Sequence, residues 1–215
     1  MPTVKLSFKE YNPVIVNDAV TLKQYWHNNL AQECPQQSAT TRDSIVRWLL
    51  AKDLKRLELL QPKELEVAKQ AMEYRWKILH QRYLGISPEG AYRNLITRLG
   101  SLVSAHSQIQ TWVASSRARQ SSFIDVLQHL IQELLQNDTY MQQQMACIAQ
   151  LTNDRQLQNR LLFASIEEYA LRSVRNQPLL VYCFVNYLRR NRCGDSTQVF
   201  GKKLPGGASL AINPH

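Results

Sequence analysis

Apolar residues recur every three to four positions along most of this chain, and this spacing constrains it to amphipathic helices. The clearest stripes consist of Ile45, Trp48, Leu49, Leu54, Leu57 and Leu60, and of Leu65, Ala68, Met72, Trp76 and Leu79. We interpret these stripes as packing faces rather than as cofactor sites. Strand-like alternation is scarce, so the sequence predicts an all-α fold, a bundle of about eight helices.

Capping residues and proline divide the chain into elements and domains. The predicted helices cover about 19–33 (capped by Asn17 or Asp18), 41–60 (started by Thr40 and Thr41), a segment opened by Pro62, 87–99, a short piece at Trp112, 123–137 (capped by Ser121 or Ser122), 139–151, 154–174 in one or two pieces, and 178–192 (opened by Pro178). The predicted organisation is an extended arm at 1–16, an N-terminal helical domain at 17–114, a C-terminal helical bundle at 123–192 and a flexible tail at 193–215.

The segment 65–103 contains the sharpest local signal. A long helix is followed by a turn at Leu84-Gly85-Ile86 and by a second helix that begins at Ser87-Pro88-Glu89. Serine is a favoured N-cap, proline suits the first helical position, and glutamate favours the positive end of the helix dipole. This is the plan of a helix-turn-helix pair, in which the second helix lies in the DNA major groove.

The second helix of this pair carries side chains that can contact bases or phosphates. They are Tyr92, Arg93, Asn94, Thr97 and Arg98. We expect Ala91 and Leu95 to face inward, with Tyr92, Arg93 and Asn94 facing outward.

The charge is unevenly distributed over the 215 residues. The formal net charge is +9, with a pI near 9.5, which indicates attraction to polyanions. Residues 42–103 hold twelve basic and seven acidic side chains, and residues 155–203 hold nine basic and three acidic. Two basic blocks therefore flank a slightly acidic, glutamine-rich middle.

The second basic block ends the last helix with three arginines. Arg189, Arg190 and Arg192, followed by Lys202 and Lys203, are predicted phosphate contacts. Arginines in a last turn also complement the negative end of the helix dipole, and the two roles are compatible. We interpret Arg172 and Arg175 as partly structural.

The sequence contains no strong catalytic or metal-binding motif. Its histidines and cysteines lack zinc-ligand spacings, and no phosphate-binding loop or nucleophile elbow is present. Asp125, His129 and Glu133 share a helix face, a pattern more typical of a solvated stripe than of catalysis. We therefore expect no enzyme activity, no cofactor and no metal.

The start of the chain and its cysteines bear on location. The first ten residues lack the apolar core of a signal peptide, and no run of about 18 apolar residues offers a membrane span. The scattered Cys34, Cys147, Cys183 and Cys193 resemble reduced, mostly buried thiols. These features predict a cytoplasmic protein without membrane contact and leave the oligomeric state open.

Residues 84–95 resemble the turn and recognition helix of the sigma-70 family and related transcription proteins. The shared pattern is Leu-Gly-Ile-Ser followed by a helix with Ala91 and Leu95 on its inner face. The segment 185–190, Val-Asn-Tyr-Leu-Arg-Arg, resembles the basic helix end of the sigma promoter-melting region. The glutamine- and leucine-rich helices also resemble cyanobacterial regulators of the HetZ kind. The resemblance implies a helical transcription protein that contacts duplex DNA and RNA polymerase or another protein.

Three hypotheses about function follow. The first is a non-enzymatic DNA-binding transcription regulator, with helix 87–99 in the groove and 189–192 on phosphates. The second is a helical adaptor or assembly subunit that buries an apolar stripe against a protein partner. The third is an RNA-binding module, because tyrosine and tryptophan alternate with arginine along 74–93, although helical spacing predicts that Trp76 is buried.

Overall fold

The computed structural model describes residues 19–50, 57, 59–115 and 120–194. These residues form nine helices and one two-stranded hairpin. In chain order the elements are α1 (Ala19–Glu33), α2 (Ala39–Leu49), α3 (Pro62–Arg82), α4 (Pro88–Ser104), α5 (Ser107–Ser115), α6 (Gln120–Asn137), α7 (Thr139–Leu151), α8 (Arg155–Ala170), β1 (Ser173–Val174), β2 (Gln177–Pro178) and α9 (Leu179–Gly194). The predicted all-α class is confirmed.

The predicted starts of α2 and α6 were wrong. Helix α2 begins two residues before residue 41, because the Ser38 hydroxyl accepts a hydrogen bond from the Thr41 amide at 3.0 Å and so caps the helix. Helix α6 begins at Gln120, so Ser121 and Ser122 lie within its first turn instead of capping it. The predicted arm at 1–16, the caps Asn17 and Asp18, and most of 51–58 lie outside the described residues.

The largest departure from the predicted elements is the β1–β2 hairpin. Helix α8 ends at Ala170, and Ser173 then pairs with Pro178 in an antiparallel register, so Pro178 precedes the last helix instead of opening it. Arg175 and Asn176 form the two-residue turn with φ angles of 50° and 64°. Positive φ at both central positions is characteristic of a type I′ turn, whose usual residues are asparagine and glycine. In this chain the first of these positions is an arginine, and for that reason the turn was not predicted from the sequence.

The chain divides into two compact units, residues 1–73 and 74–215. In the first unit α1 packs against α2. Trp26, Leu30 and Ile45 are buried in this unit. The imidazole Nε2 of His27 lies 3.6 Å from a carboxylate oxygen of Asp43.

The second unit is built around α4, which packs against α5, α6, α8 and α9. Helix α7 packs against α6 and α8. Fully buried side chains of this unit include Tyr83, Leu95, Leu99, Leu127, Leu161 and Phe184. Because α4 contacts helices on both sides of residues 115–122, residues 88–114 and 123–192 belong to the same compact unit.

Among the described residues, no helix has both the length and the apolar content to cross a membrane. Cys34, Cys147 and Cys183 are free thiols; Cys34 is buried and the other two are half-buried. Burial raises the pKa of Cys34 and of Cys183 above the usual thiol value.

Candidate nucleic-acid interface

The turn between α3 and α4 has the predicted chemistry. Gly85 adopts φ +78°, a left-handed conformation that glycine tolerates because it has no Cβ. The Ser87 hydroxyl accepts a hydrogen bond from the Gly90 amide at 3.2 Å, and Pro88 occupies the first helical position. Arg160 of α8 donates to the Ile86 carbonyl at 3.0 Å. The predicted cap is confirmed, and the turn is fixed to the core by a side chain that the sequence did not single out.

Helix α4 has two opposite faces. Ala91, Leu95, Leu99 and Val103 are buried, while Glu89, Arg93, Thr97 and Ser101 form an exposed row. Both sets repeat every four residues, so each follows one side of the helix. We call this exposed row, Glu89, Arg93, Thr97 and Ser101, the outer row.

The predicted outward position of Tyr92 was wrong. Its side chain is half-buried, its hydroxyl accepts a hydrogen bond from Gln128 of α6 at 2.7 Å, and its ring centroid lies 6.2 Å from that of Phe163. Tyr92 therefore joins α4 to α6 and α8.

The predicted outward position of Asn94 was also wrong. Its side-chain amide donates to the Arg82 carbonyl at 3.0 Å. That carbonyl belongs to the last turn of α3, where carbonyls lack helical partners. Asn94 therefore caps α3 from α4, and this bond joins the two helices.

We expect Asn94→Ala to lower the unfolding free energy by about 1–2 kcal/mol, because the Arg82 carbonyl loses its partner. Urea unfolding followed by circular dichroism measures this change. Thr97→Ala, an exposed site on the same helix, is the control and should change stability by less than about 0.5 kcal/mol. An unchanged midpoint for Asn94→Ala would contradict the capping role.

The side chain of Arg98 is partly exposed to solvent and also contacts a buried carboxylate. Its side chain is 53% exposed, and its Nε lies 3.5 Å from Oε1 of Glu167. The same buried carboxylate pairs with Arg82 of α3 and accepts a hydrogen bond from the Tyr83 hydroxyl at 2.6 Å. Burial raises the pKa of Tyr83, so this hydroxyl stays protonated and donates. Glu167 thus connects α8 to the end of α3 and to α4.

A second ion pair lies beside it. Arg75 Nε donates to Glu168 at 2.7 Å with both side chains mostly buried. Arg75 and Arg82 are seven residues apart, and Glu167 and Glu168 are adjacent. Neither ion pair was predicted from the sequence, although the two-turn spacing of the arginines indicates that they share a helix face.

Arg189 and Arg190 are exposed near the end of α9, and neither has an ion-pair partner among the described residues. Arg189 also lines an open cavity of about 270 Å³ together with Gln108, Thr111, Val185 and Leu188. Arg192 belongs to α9, but only its backbone is described. Lys202 and Lys203 lie outside the described residues.

The other side chains considered for catalysis, metal binding or base stacking lie on α6 and α3. His129 Nε2 lies 3.9 Å from a carboxylate oxygen of Glu133 at an exposed site, and Asp125 is exposed. Within the described ranges no three His, Cys, Asp or Glu side chains are arranged to hold a metal ion. Trp76 is buried and stacks on His80 at 4.8 Å, so it is not presented for stacking on a nucleic-acid base.

No protein-family model matches the chain, and the searches of curated proteins and of solved structures give no significant match.

Proposed function

We propose that this chain is a DNA-binding transcription regulator. In this proposal the outer row of α4 contacts base edges in the major groove, and Arg189 and Arg190 contact phosphates. The observation that supports it most is the exposure of Arg93 on a helix that begins at a tight, capped turn. No carboxylate forms an ion pair with Arg93 among the described residues, so its guanidinium is available.

The chemistry of the outer row suits base recognition. Arginine can donate two hydrogen bonds to guanine, glutamate accepts from the cytosine amino group, and threonine contacts either a polar edge or a thymine methyl. Successive members of the row are separated by four residues, or about 6 Å along the helix axis. Base pairs rise by about 3.4 Å, so neighbouring members of the row would contact bases roughly two pairs apart.

The buried side of α4 would hold this row in position. Tyr92, Asn94 and Arg98 each bond to a different element, which limits rotation of the helix about its axis. A recognition helix that is already ordered loses less conformational entropy on binding. These residues, predicted as DNA contacts, would then support recognition by positioning Arg93 and Thr97.

The assignment to transcription rests on the resemblance of residues 84–95 to sigma-70-type recognition helices. With it we propose a cytoplasmic location and contact with RNA polymerase or another protein. The adaptor hypothesis has less support, because the core-facing residues of α4 and α9 are buried within the chain.

Arg93 variants test the proposal. A target duplex is first selected with the full chain from a pool of randomised 20-base-pair duplexes, and affinities are then measured by fluorescence anisotropy. We expect Arg93→Ala to weaken binding to the selected duplex about tenfold or more, while Arg93→Lys keeps binding to unselected duplex but loses discrimination, since lysine cannot make the paired hydrogen bonds.

Arg155→Ala is the matched control, since Arg155 is an exposed arginine on α8 and lies outside the outer row. Its ratio of selected to unselected binding should equal that of the unmodified chain. Failure of the unmodified chain to bind any duplex at 50 mM salt would exclude the proposed function.

A further inference from the structure

The segment from Tyr169 to Gly194 contains five arginines and no aspartate or glutamate. Three of these arginines lie near the end of α9. The other two, Arg172 and Arg175, lie at the base and at the tip of the β1–β2 hairpin, and both are exposed. The hairpin therefore carries a concentrated positive charge that the outer row of α4 does not account for.

Arg172 is held against aromatic rings. Its guanidinium carbon lies 4.1 Å from the ring centroid of Tyr140 and 5.0 Å from that of Tyr169. Its Nη2 donates to the Tyr140 hydroxyl at 2.7 Å, and its side chain is 42% exposed. Among the described residues, one of its five N–H groups makes a hydrogen bond, and the others remain available to an external acceptor.

The rings that support Arg172 are themselves anchored. Tyr140 and Tyr169 stack at 4.7 Å, and the Tyr169 hydroxyl donates to Asp138 at 2.7 Å. Burial, the hydrogen bond to Asp138 and its negative charge raise the pKa of Tyr169 to about 12, so this donor persists at neutral pH. Asp138 also caps α7, and its carboxylate is therefore already committed.

The nearest carboxylate pairs only loosely with Arg172. Oε1 of Glu168 lies 4.0 Å from Nη2 of Arg172, whereas Oε2 of the same carboxylate accepts a 2.7 Å hydrogen bond from Arg75. Arg172 thus resembles a cation on an aromatic platform more than a member of a closed ion pair.

Arg175 occupies an unfavourable backbone position. It adopts φ 50° in the turn, where a residue with a Cβ is uncommon, and its guanidinium carbon lies 5.6 Å from the Tyr182 ring centroid. Asparagine would suit this position better. A locally disfavoured, exposed residue is consistent with a functional constraint.

We propose that Arg172 and Arg175 form a second nucleic-acid contact, which binds backbone phosphates without sequence preference. The inference deepens the proposed function and rests on it in taking duplex DNA as the partner. Aromatic support orients each guanidinium while both arginines stay exposed to an external phosphate. The role differs from that of Arg82, whose charge is taken up by the buried Glu167.

Substitutions at the turn separate binding from folding. Arg175→Asn removes the charge and places a better residue in the turn, so the melting temperature should stay equal or rise. Arg172→Gln with Arg175→Asn removes both charges, and Arg155→Gln is the matched control. Binding to a 20-base-pair duplex of arbitrary sequence is measured between 50 and 200 mM salt, with a 12-nucleotide single-stranded oligonucleotide as a second probe.

We expect the slope of log affinity against log salt to become shallower by about one for Arg175→Asn and by about two for the double variant on duplex. Affinity should fall about 5–10-fold per arginine for every duplex sequence, leaving the ratio of selected to unselected binding unchanged. Arg175→Lys should retain most of the slope. Arg155→Gln should alter neither quantity.

The outcomes distinguish this inference from the proposed function. Unchanged duplex slopes in the hairpin variants, with discrimination lost in Arg93→Ala, would overturn the inference alone. Single-strand binding that depends on Arg172 and Arg175, without any duplex binding, would overturn the proposed function and support the phosphate contact. Absence of binding to both probes would overturn both, as would tighter binding to vesicles of anionic phospholipid than to either probe.

Discussion

Replacement of Glu167 by alanine should lower the unfolding free energy by about 2–4 kcal/mol. Glu167 is 1% exposed, and its loss leaves the Arg82 guanidinium and the buried Tyr83 hydroxyl without their acceptor. Breaking a buried pair by removing one partner typically costs about 3–5 kcal/mol. We expect a loss near or below the lower end of that range because Arg82 and Arg98 retain some access to water. Urea unfolding followed by circular dichroism measures the effect.

Two further variants identify what causes the loss of stability in Glu167→Ala. Glu133→Ala removes a half-exposed carboxylate from α6 and should change stability by less than about 0.5 kcal/mol. Glu167→Gln keeps an oxygen that can accept from Tyr83 while removing the charge, and should give an intermediate loss. If Glu167→Ala were as stable as the unmodified chain, the carboxylate would not be what connects α3, α4 and α8.

The second large effect is expected at Leu95. Its side chain is 1% exposed on the inner face of α4, so Leu95→Ala should leave a cavity and cost about 3 kcal/mol. In the Leu95→Ala variant the α4 amides should also exchange hydrogen faster, because this helix packs against four others. Measurement by urea unfolding and by hydrogen exchange tests both statements.

Leu95→Met is the volume-conserving control and should cost less than about 1.5 kcal/mol. Leu95 also positions the helix that carries Arg93. Under conditions where Leu95→Ala remains folded, we expect its discrimination between selected and unselected duplex to fall less than in Arg93→Ala. Equal stability of Leu95→Ala and the unmodified chain would show that this face of α4 is not packed as described.

The helical class and the start of α4 were predictable because their causes are local. Apolar periodicity produces amphipathic helices whatever their partners, and the hydroxyl of Ser87 acts on an amide three residues away. Gly85 likewise takes its left-handed conformation at a turn marked by its own sequence. Such features require no knowledge of what packs against them.

The β1–β2 hairpin was not predicted because its turn lacks the residue that usually marks such a turn. Arg175 and Asn176 adopt positive φ angles without the glycine that normally marks a type I′ turn. Without that marker, residues 173–178 look like the junction of two helices. Here the pairing of Ser173 with Pro178 and the packing of the hairpin on α9 override the local preference of arginine.

Most helices, the α3–α4 turn and the basic character of the chain were predictable from the sequence alone, since each depends on residues close in sequence or on composition. Which side chains of α4 stay exposed depends on the contacts between helices. Tyr92 and Asn94 are polar enough to face solvent, but Gln128 and the Arg82 carbonyl are placed by other helices and bind them. Arg93 stays exposed because the buried face of α4, opposite to it, meets α8. A polar side chain shows its capacity to bond, whereas its partner is set by contacts between residues far apart in the chain.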